Sequence, residues 1–214
     1  WPLLQKAFAR FGRPVVVVDL ETTGGNLYQD RVTEVALLRF DGQSVCRYEW
    51  LVNPGKPIPE FVAQLTGISD EMVRTAPLFA EIALQSLPLL RGAVVVAHNS
   101  RFDYTFLRHE FRRAGIDFAA PALCTVQLSR RLYPEFYKHN LDSIIERNAI
   151  AVENRHRAMT DVLALSDYLE HSLREKNTED WDNYCRSLMN PKMLPNWVTD
   201  ALAAQLYALP DSEG

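Results

Sequence analysis

Four consecutive valines, Val15 to Val18, followed by Asp19, Leu20 and Glu21, constrain this chain more than any other segment. The run is too short for a helix and too uniformly apolar for a strand with one wet face, which predicts a strand buried on both sides in mid-sheet. Period-2 alternation then sends the carboxylates of Asp19 and Glu21 to the same side of the strand's end. Two like charges there are unfavourable unless one is protonated or a cation neutralises the pair, and oxygen ligands suit Mg2+ or Mn2+. A second reading ends the strand earlier and leaves both acids solvated beside a turn of Thr22, Thr23, Gly24 and Gly25. Spacing alone does not choose between the two.

Residues 33–40 and 44–52 read as further strands joined at Asp41-Gly42, a hairpin signal, so the first three strands form an antiparallel meander. Residues 93–97 form another short buried strand. A helix follows it, with Ser100 as N-cap, Phe102, Phe106, Leu107 and Phe111 on its apolar face, and Gly115 at its end. Helical periodicity also covers about residues 77–91, 126–132, 141–148 and 159–174. A meander leading into alternating strand and helix predicts an α/β fold whose mixed sheet is covered by helices. The composition turns polar over residues 175–190, and Pro191 and Pro195 precede one more helical pattern at 197–206. Residues 1–174 are therefore expected to form the domain, and 175–214 a linker and helix leading to a domain not present.

With 214 residues, 47% hydrophobic and 23% charged, the chain is neither disordered nor collagen-like and can bury one sizeable core. Its 23 Lys and Arg against 27 Asp and Glu give a net charge of -4. Binding to a polyanion must then be local or bridged by cations, not driven by a general positive field. No apolar run approaches the ~20 residues a membrane helix needs. Cys46, Cys124 and Cys185 are far apart and contain no CxxC, which argues against a disulfide framework or zinc cage and for reduced thiols in a cytoplasmic protein. The start at Trp1, without a basic and apolar leader, reads as an excised fragment.

Two more acids and a histidine carry chemistry. Asp103 follows the buried 93–97 strand, the place where open α/β sheets collect ligands, although Ser100 and Asp103 also fit a capping box. His156 and Asp161 are five apart, about 140° on an ideal helix. They can share a cleft only if His156 is in a loop and Asp161 in the first helical turn. His156 could instead belong to a solvated basic loop with Arg155 and Arg157. Other templates fail: His109-Glu110 is followed by Arg113 where HExxH needs histidine, and neither a Walker loop nor a GxSxG elbow is present.

Taken together, Asp19-Leu20-Glu21-Thr22-Thr23-Gly24, His98-Asn99-Ser100-Arg101-Phe102-Asp103 and His156-Arg157-Ala158-Met159-Thr160-Asp161 resemble the three motifs of the DEDDh 3'-5' exonucleases, in order and spacing. Within that superfamily the chain is similar to the proofreading epsilon subunits of bacterial DNA polymerase III, with Leu65-Thr66-Gly67-Ile68 and His139-Asn140-Leu141-Asp142 in the same style. The similarity spans residues 14–173. It implies a ribonuclease-H-like fold with a five-stranded mixed sheet, and two divalent cations, Mg2+ or Mn2+. Asp19, Glu21 and Asp161 would ligate one ion, Asp19 would also touch the second, and Asp103 would hold the second largely through water. His156 would be the general base.

The same resemblance brings the backbone of Thr22, Thr23 and Gly24 to the terminal 3'-hydroxyl, lines the nucleotide pocket with Asn99 and Phe102, and wedges Leu65 near the last base. As bare residues these are equally a turn, a turn amide and helix core. Arg108, Arg112, Arg130, Arg131 and Lys138 are either phosphate contacts or a solvated helix face. The last residues, 209–214, resemble the opening of a GIY-YIG nuclease domain, which in a longer chain would point to repair. The implied function is release of 5'-mononucleotides from 3' ends of single-stranded or frayed DNA, in replication or repair, with a polymerase or repair protein as partner. An exoribonuclease of the same superfamily, or a silent scaffold binding its partner through the segment after Arg174, are the competing readings.

Overall fold

The computed structural model describes residues 1–42 and 44–189. Val15–Thr22 (β1) is the middle strand of a five-stranded sheet completed by Val32–Asp41 (β2), Ser44–Leu51 (β3), Val94–Ala97 (β4) and Ala122–Cys124 (β5). The order is β3-β2-β1-β4-β5. β1 runs antiparallel to β2 and parallel to β4, and β4 runs parallel to β5. The sheet is therefore mixed, as the meander and the following strand-helix step require. The β2–β3 turn falls where the hairpin signal placed it, with Gly42 at φ +61°.

Helices Pro2–Ala9 (α1), Glu60–Thr66 (α2), Asp70–Val73 (α3), Phe79–Leu90 (α4), Ser100–Arg113 (α5), Thr125–Leu132 (α6), Leu141–Arg147 (α7), Ala158–Glu175 (α8) and Thr178–Leu188 (α9) cover the sheet. Alternation along β1 divides the core in two. Val15 and Val17 pack with Ala36, Leu38 and Val96 against α1, α8 and α9, whereas Val16, Val18 and Leu20 face α4 and α5. All four valines are fully buried, each stabilising the fold by about 1.5–3 kcal/mol. That burial anchors the strand firmly enough for its last residues to carry charges at a place where charges are costly.

The structure adds to or corrects the sequence reading in four places. Helices α2 and α1 are not among the segments with helical periodicity, and the first amides of α1, Leu3 N and Leu4 N, donate to the buried Glu170 carboxylate at 3.1 and 2.7 Å. Ser100 is the first residue of α5, not its cap; the cap is Asn99, at φ +69°. The core does not end at Arg174. In α9, Trp181 and Cys185 are fully buried one turn apart, and Trp181 Nε1 donates to Ser172 Oγ at 3.0 Å. Average polarity over 175–190 concealed this stripe because the helix is polar on its other sides. The helical pattern at 197–206 and the GIY-YIG-like residues 209–214 lie outside the described residues. Among the described residues no helix is long and apolar enough to cross a membrane, and the three cysteines are free.

Candidate active site

The acids at the end of β1 continue the face on which Val15 and Val17 pack against α8. Asp19 pairs with Ala36 and Glu21 with Glu34, and the register shifts immediately after Glu21, where Thr22 pairs with Val32 and Thr33 of β2 is the extra residue. Asp161, in the first turn of α8, comes down on the same face. One carboxylate oxygen each from Asp19, Glu21 and Asp161 lie within 4.8 Å of one another. The solvated-turn reading of Asp19 and Glu21 is thereby set aside.

Asp103 reaches the same end of β1 from α5. Its side chain is buried and Oδ1 accepts from Leu20 N at 3.1 Å, a bond across to β1 and not one arm of a capping box with Ser100. Burial is the main force on all four acids. It lifts Asp19 well above the usual carboxylate range, with the charges of Asp103, Asp161 and Glu21 adding to the rise. It pushes Glu21 up to about 9, helped by Asp161 and Glu34, and Asp103 up to about 8. Asp161 is also raised by burial, against the opposing pull of Arg155. Four carboxyls so placed cannot all be ionised without a nearby cation.

The residues present fit a hard divalent cation. Asp19 Oδ2 is buried with no hydrogen-bond partner, an acceptor left open in the middle of the cluster. The donors around it are carboxylate oxygens, without sulfur, which suits Mg2+ or Mn2+ in preference to a thiolate-bound metal.

His156 lies in the turn before α8 with φ +75°, a conformation that a side chain bearing Cβ rarely adopts. Its amide donates to Asp161 Oδ1 at 3.3 Å, so the histidine and the acid are joined through backbone despite their spacing. The turn is pinned by an arginine on each side. Arg155 Nη1 donates to Asp161 Oδ2 at 2.6 Å and lies 3.3 Å from His156 Nδ1, while its Nε donates to Asp142 Oδ1 at 2.7 Å. Arg157 grips the buried Glu34 with both Nε and Nη2, the closest contact 2.6 Å. Glu34 Oε1 also accepts from Ala158 N at 2.8 Å, capping α8 from the sheet. Sequence reasoning missed Arg155 and Glu34. The available signal for Glu34 was an acid inside the apolar run of β2, where a buried charge demands a partner.

The remaining site residues divide. Thr22 Oγ1 donates to Gly24 O at 2.6 Å, and Thr23 Oγ1 donates to Asp30 Oδ1 at 2.8 Å, folding the loop back on itself. Glycine suits position 24, since a Cβ would lie 2.5 Å from Oδ2 of the Asp30 carboxylate, which Thr23 Oγ1 and Asn26 N hold in place. Leu65 is 55% exposed on α2, which removes the helix-core reading for it. Phe102 is half-buried and stacks at a tilt on Phe106, with centroids 4.7 Å apart, so core packing accounts for part of its surface. Arg108 is not a free phosphate contact: its side chain is 10% exposed and pairs with Asp117 at 3.2 Å. Arg112, Arg130, Arg131 and Lys138 are exposed. His98, pushed down to about 4 by burial, bridges Thr125 Oγ1 and the His139 carbonyl, tying the end of β4 to the segment before α7.

A five-stranded mixed sheet with four acids gathered at the end of its central strand, and a histidine on the adjoining turn, defines an α/β nuclease of the ribonuclease-H-like type. The chain belongs to the exonuclease family: residues 16–169 match the family described as Exonuclease (RNase_T). It is 35% identical over 153 residues to a DNA polymerase III of PolC type from Caldanaerobacter subterraneus subsp. tengcongensis, a stretch covering 71% of this chain and 11% of that relative. The chain thus spans only about a tenth of the length of the PolC-type relatives it matches. Among solved structures, the zinc-bound form of E. coli exonuclease I with single-stranded DNA shares the fold at TM-score 0.69 and 21% identity, over 84% of this chain and 44% of that one. Exonuclease X in complex with 5'-overhanging duplex DNA does so at TM-score 0.59 and 23% identity, over 80% of this chain and 99% of that one.

Proposed function

We propose that this chain hydrolyses single-stranded or frayed DNA from its 3' end, releasing 5'-mononucleotides in replication or repair. The observation that carries the proposal is the convergence of Asp19, Glu21 and Asp161 around an unpartnered buried oxygen of Asp19. Asp19, Glu21 and Asp161 would hold one divalent cation, and Asp103, with Asp19, a second. Bound there, such ions supply charge stabilisation for both the entering and the leaving oxygen of an in-line phosphodiester displacement. They also reconcile a net charge of -4 with a polyanionic substrate, because their charge inverts the local potential.

The chain's own groups do the rest. His156, carried on the turn beside Asp161, accepts a proton from the attacking water as general base. The forked Arg157–Glu34 ion pair holds that turn while the proton moves. The backbone of Thr22, Thr23 and Gly24 meets the 3'-hydroxyl, Asn99 and Phe102 receive the terminal nucleotide, and Leu65, exposed on α2, meets its base. A terminal nucleotide must leave its stack to enter this site, which favours single-stranded or frayed ends. DNA is preferred over RNA as substrate on the kinship with PolC-type polymerases and on the likeness to structures of exonucleases with bound DNA. Docking to a polymerase or repair protein would use the segment after Arg174, and the GIY-YIG reading rests on residues 209–214 alone.

A time course on 5'-labelled DNA and RNA oligonucleotides of one sequence tests this reading. The expected result is a descending ladder from DNA with mononucleotide product, abolished by chelator or by Asp19→Ala. Internal cuts, release of the 5' label as the first product, or a preference for RNA would overturn it.

A further inference from the structure

The acid cluster already contains one positive group of the protein's own. Arg155 Nη1 lies 2.6 Å from Asp161 Oδ2, on a carboxylate that the proposed function gives to an ion. Arg155 also draws down the proton affinity of Asp19 and Glu21, so its charge is felt across the cluster. Its other end is tethered elsewhere: Nε donates to Asp142 Oδ1 at 2.7 Å, at the exposed start of α7. A guanidinium offers five donors in a fixed fork, so one edge can hold a tether while the other changes partner. Only a quarter of the Arg155 side chain is exposed, yet the Asp142 carboxylate it leans on is 60% exposed, which leaves the solvent-facing edge room to turn.

We propose that Arg155 is an exchanging counter-cation: it neutralises Asp161 while no ion is bound, and on ion binding transfers its Nη donors to a phosphate of the DNA strand, with Asp142 as the pivot. The proposal rests on the functional reading above, because it takes Asp161 as an ion ligand. A divalent cation and a guanidinium compete for the same Asp161 carboxylate. The displaced arginine is left beside a site that the substrate's anionic backbone enters, where a charge-assisted hydrogen bond to phosphate replaces the lost one to carboxylate. No bond is made or broken in this exchange, only ionic partners change, and the pivot on Asp142 keeps the group within reach.

The proposal requires two effects of opposite sign from one substitution. Arg155→Ala is expected to tighten Mn2+ binding without DNA, by calorimetric titration, by about tenfold, one charge-assisted contact removed from competition. The same variant is expected to weaken binding of a fluorescent oligothymidylate in Ca2+ by about tenfold, and to flatten its log-log salt dependence by about 0.7, the value for one phosphate contact on a single strand. Arg155→Lys, which keeps the charge but not the fork, should retain part of both effects and guards against a folding defect in the alanine variant. Unchanged Mn2+ affinity in Arg155→Ala, or unchanged oligonucleotide affinity and salt slope, overturns the exchange. If wild-type protein takes up no Mn2+, or its uptake is indifferent to Asp161→Asn, the underlying functional reading falls together with this one. Uptake that needs Asp161 but ignores Arg155 overturns this proposal alone.

Discussion

Glu34→Ala is the perturbation that most sharply separates a positioned turn from a merely adjacent one. Glu34 is buried on β2, opposite Glu21, and its two oxygens receive Arg157 in a forked pair and the Ala158 amide at the start of α8. Losing the cap alone costs about 1 kcal/mol. Removing one partner of a fully buried pair costs about 3–5 kcal/mol, but Arg157 is 35% exposed and can recover water, so about 2 kcal/mol is the appropriate share. The sum, about 3 kcal/mol, corresponds to a fall of about 6–12 °C in Tm for a chain of this size. Urea unfolding at fixed pH, with a double-mutant cycle against Arg157→Ala, provides the measurement. Glu34→Gln keeps an acceptor for Ala158 N and should lose roughly half as much. A loss under about 1 kcal/mol for alanine, or no coupling in the cycle, would refute the view that β2 holds the His156 turn in place.

Four further outcomes are expected. Trp181→Ala should cost about 3–5 kcal/mol, since it empties a fully buried indole site and strips Ser172 of its donor; a neutral result in thermal melts would return α9 to the status of an appendage. Gly24→Ala should reduce activity and stability together, by about 1–3 kcal/mol in denaturant titration, because the new methyl meets Asp30 Oδ2. His156→Ala should slow hydrolysis by about 100-fold to 10,000-fold while leaving Mn2+ affinity nearly unchanged, and equal loss of both in paired kinetics and calorimetry would make the imidazole a ligand. The raised Glu21 and Asp103, near 9 and 8, give a fourth: in chelator the folded state holds protons that the unfolded state has released. Their stabilisation is complete below the unfolded values near ~4 and is lost as pH rises through the folded ones, so Tm in chelator should decline from about pH 5 to about pH 9 and Mg2+ should restore it. A Tm that climbs over that window, with Asp103→Asn behaving as wild type, would contradict the assignment.

What the sequence made legible follows from the range of the forces involved. The valine run, the Asp41-Gly42 hairpin and the helix over Ala158–Glu175 are local patterns of burial or turn geometry, and they are found where periodicity put them. The acids of β1 were legible because alternation fixes their common face. Asp103 was placed at the right end of the sheet but with the wrong partner, because a helix-start acid looks the same whether it caps its own helix or bonds to a strand 83 residues away. Arg155, Glu34 and Trp181 were illegible for a related reason. Each acts through contacts between elements, Arg155 to α7 and α8, Glu34 to the α8 start 123 residues away and Trp181 to Ser172, and no local period announces such contacts. Helix α1 was missed similarly, being held by Glu170 of α8 more than by its own sequence.

The central claim is that Asp19, Glu21, Asp161 and Asp103 together hold divalent ions at the place where a DNA strand's end is hydrolysed. Anomalous diffraction from crystals soaked in Mn2+ with a mononucleotide tests it most directly. The expected map has a peak at bonding distance from the oxygens of Asp19, Glu21 and Asp161, a second peak on the Asp103 side of Asp19, and nucleotide phosphate between them. A map with no anomalous density among these carboxylates, or with ions only elsewhere on the molecule, would contradict the account.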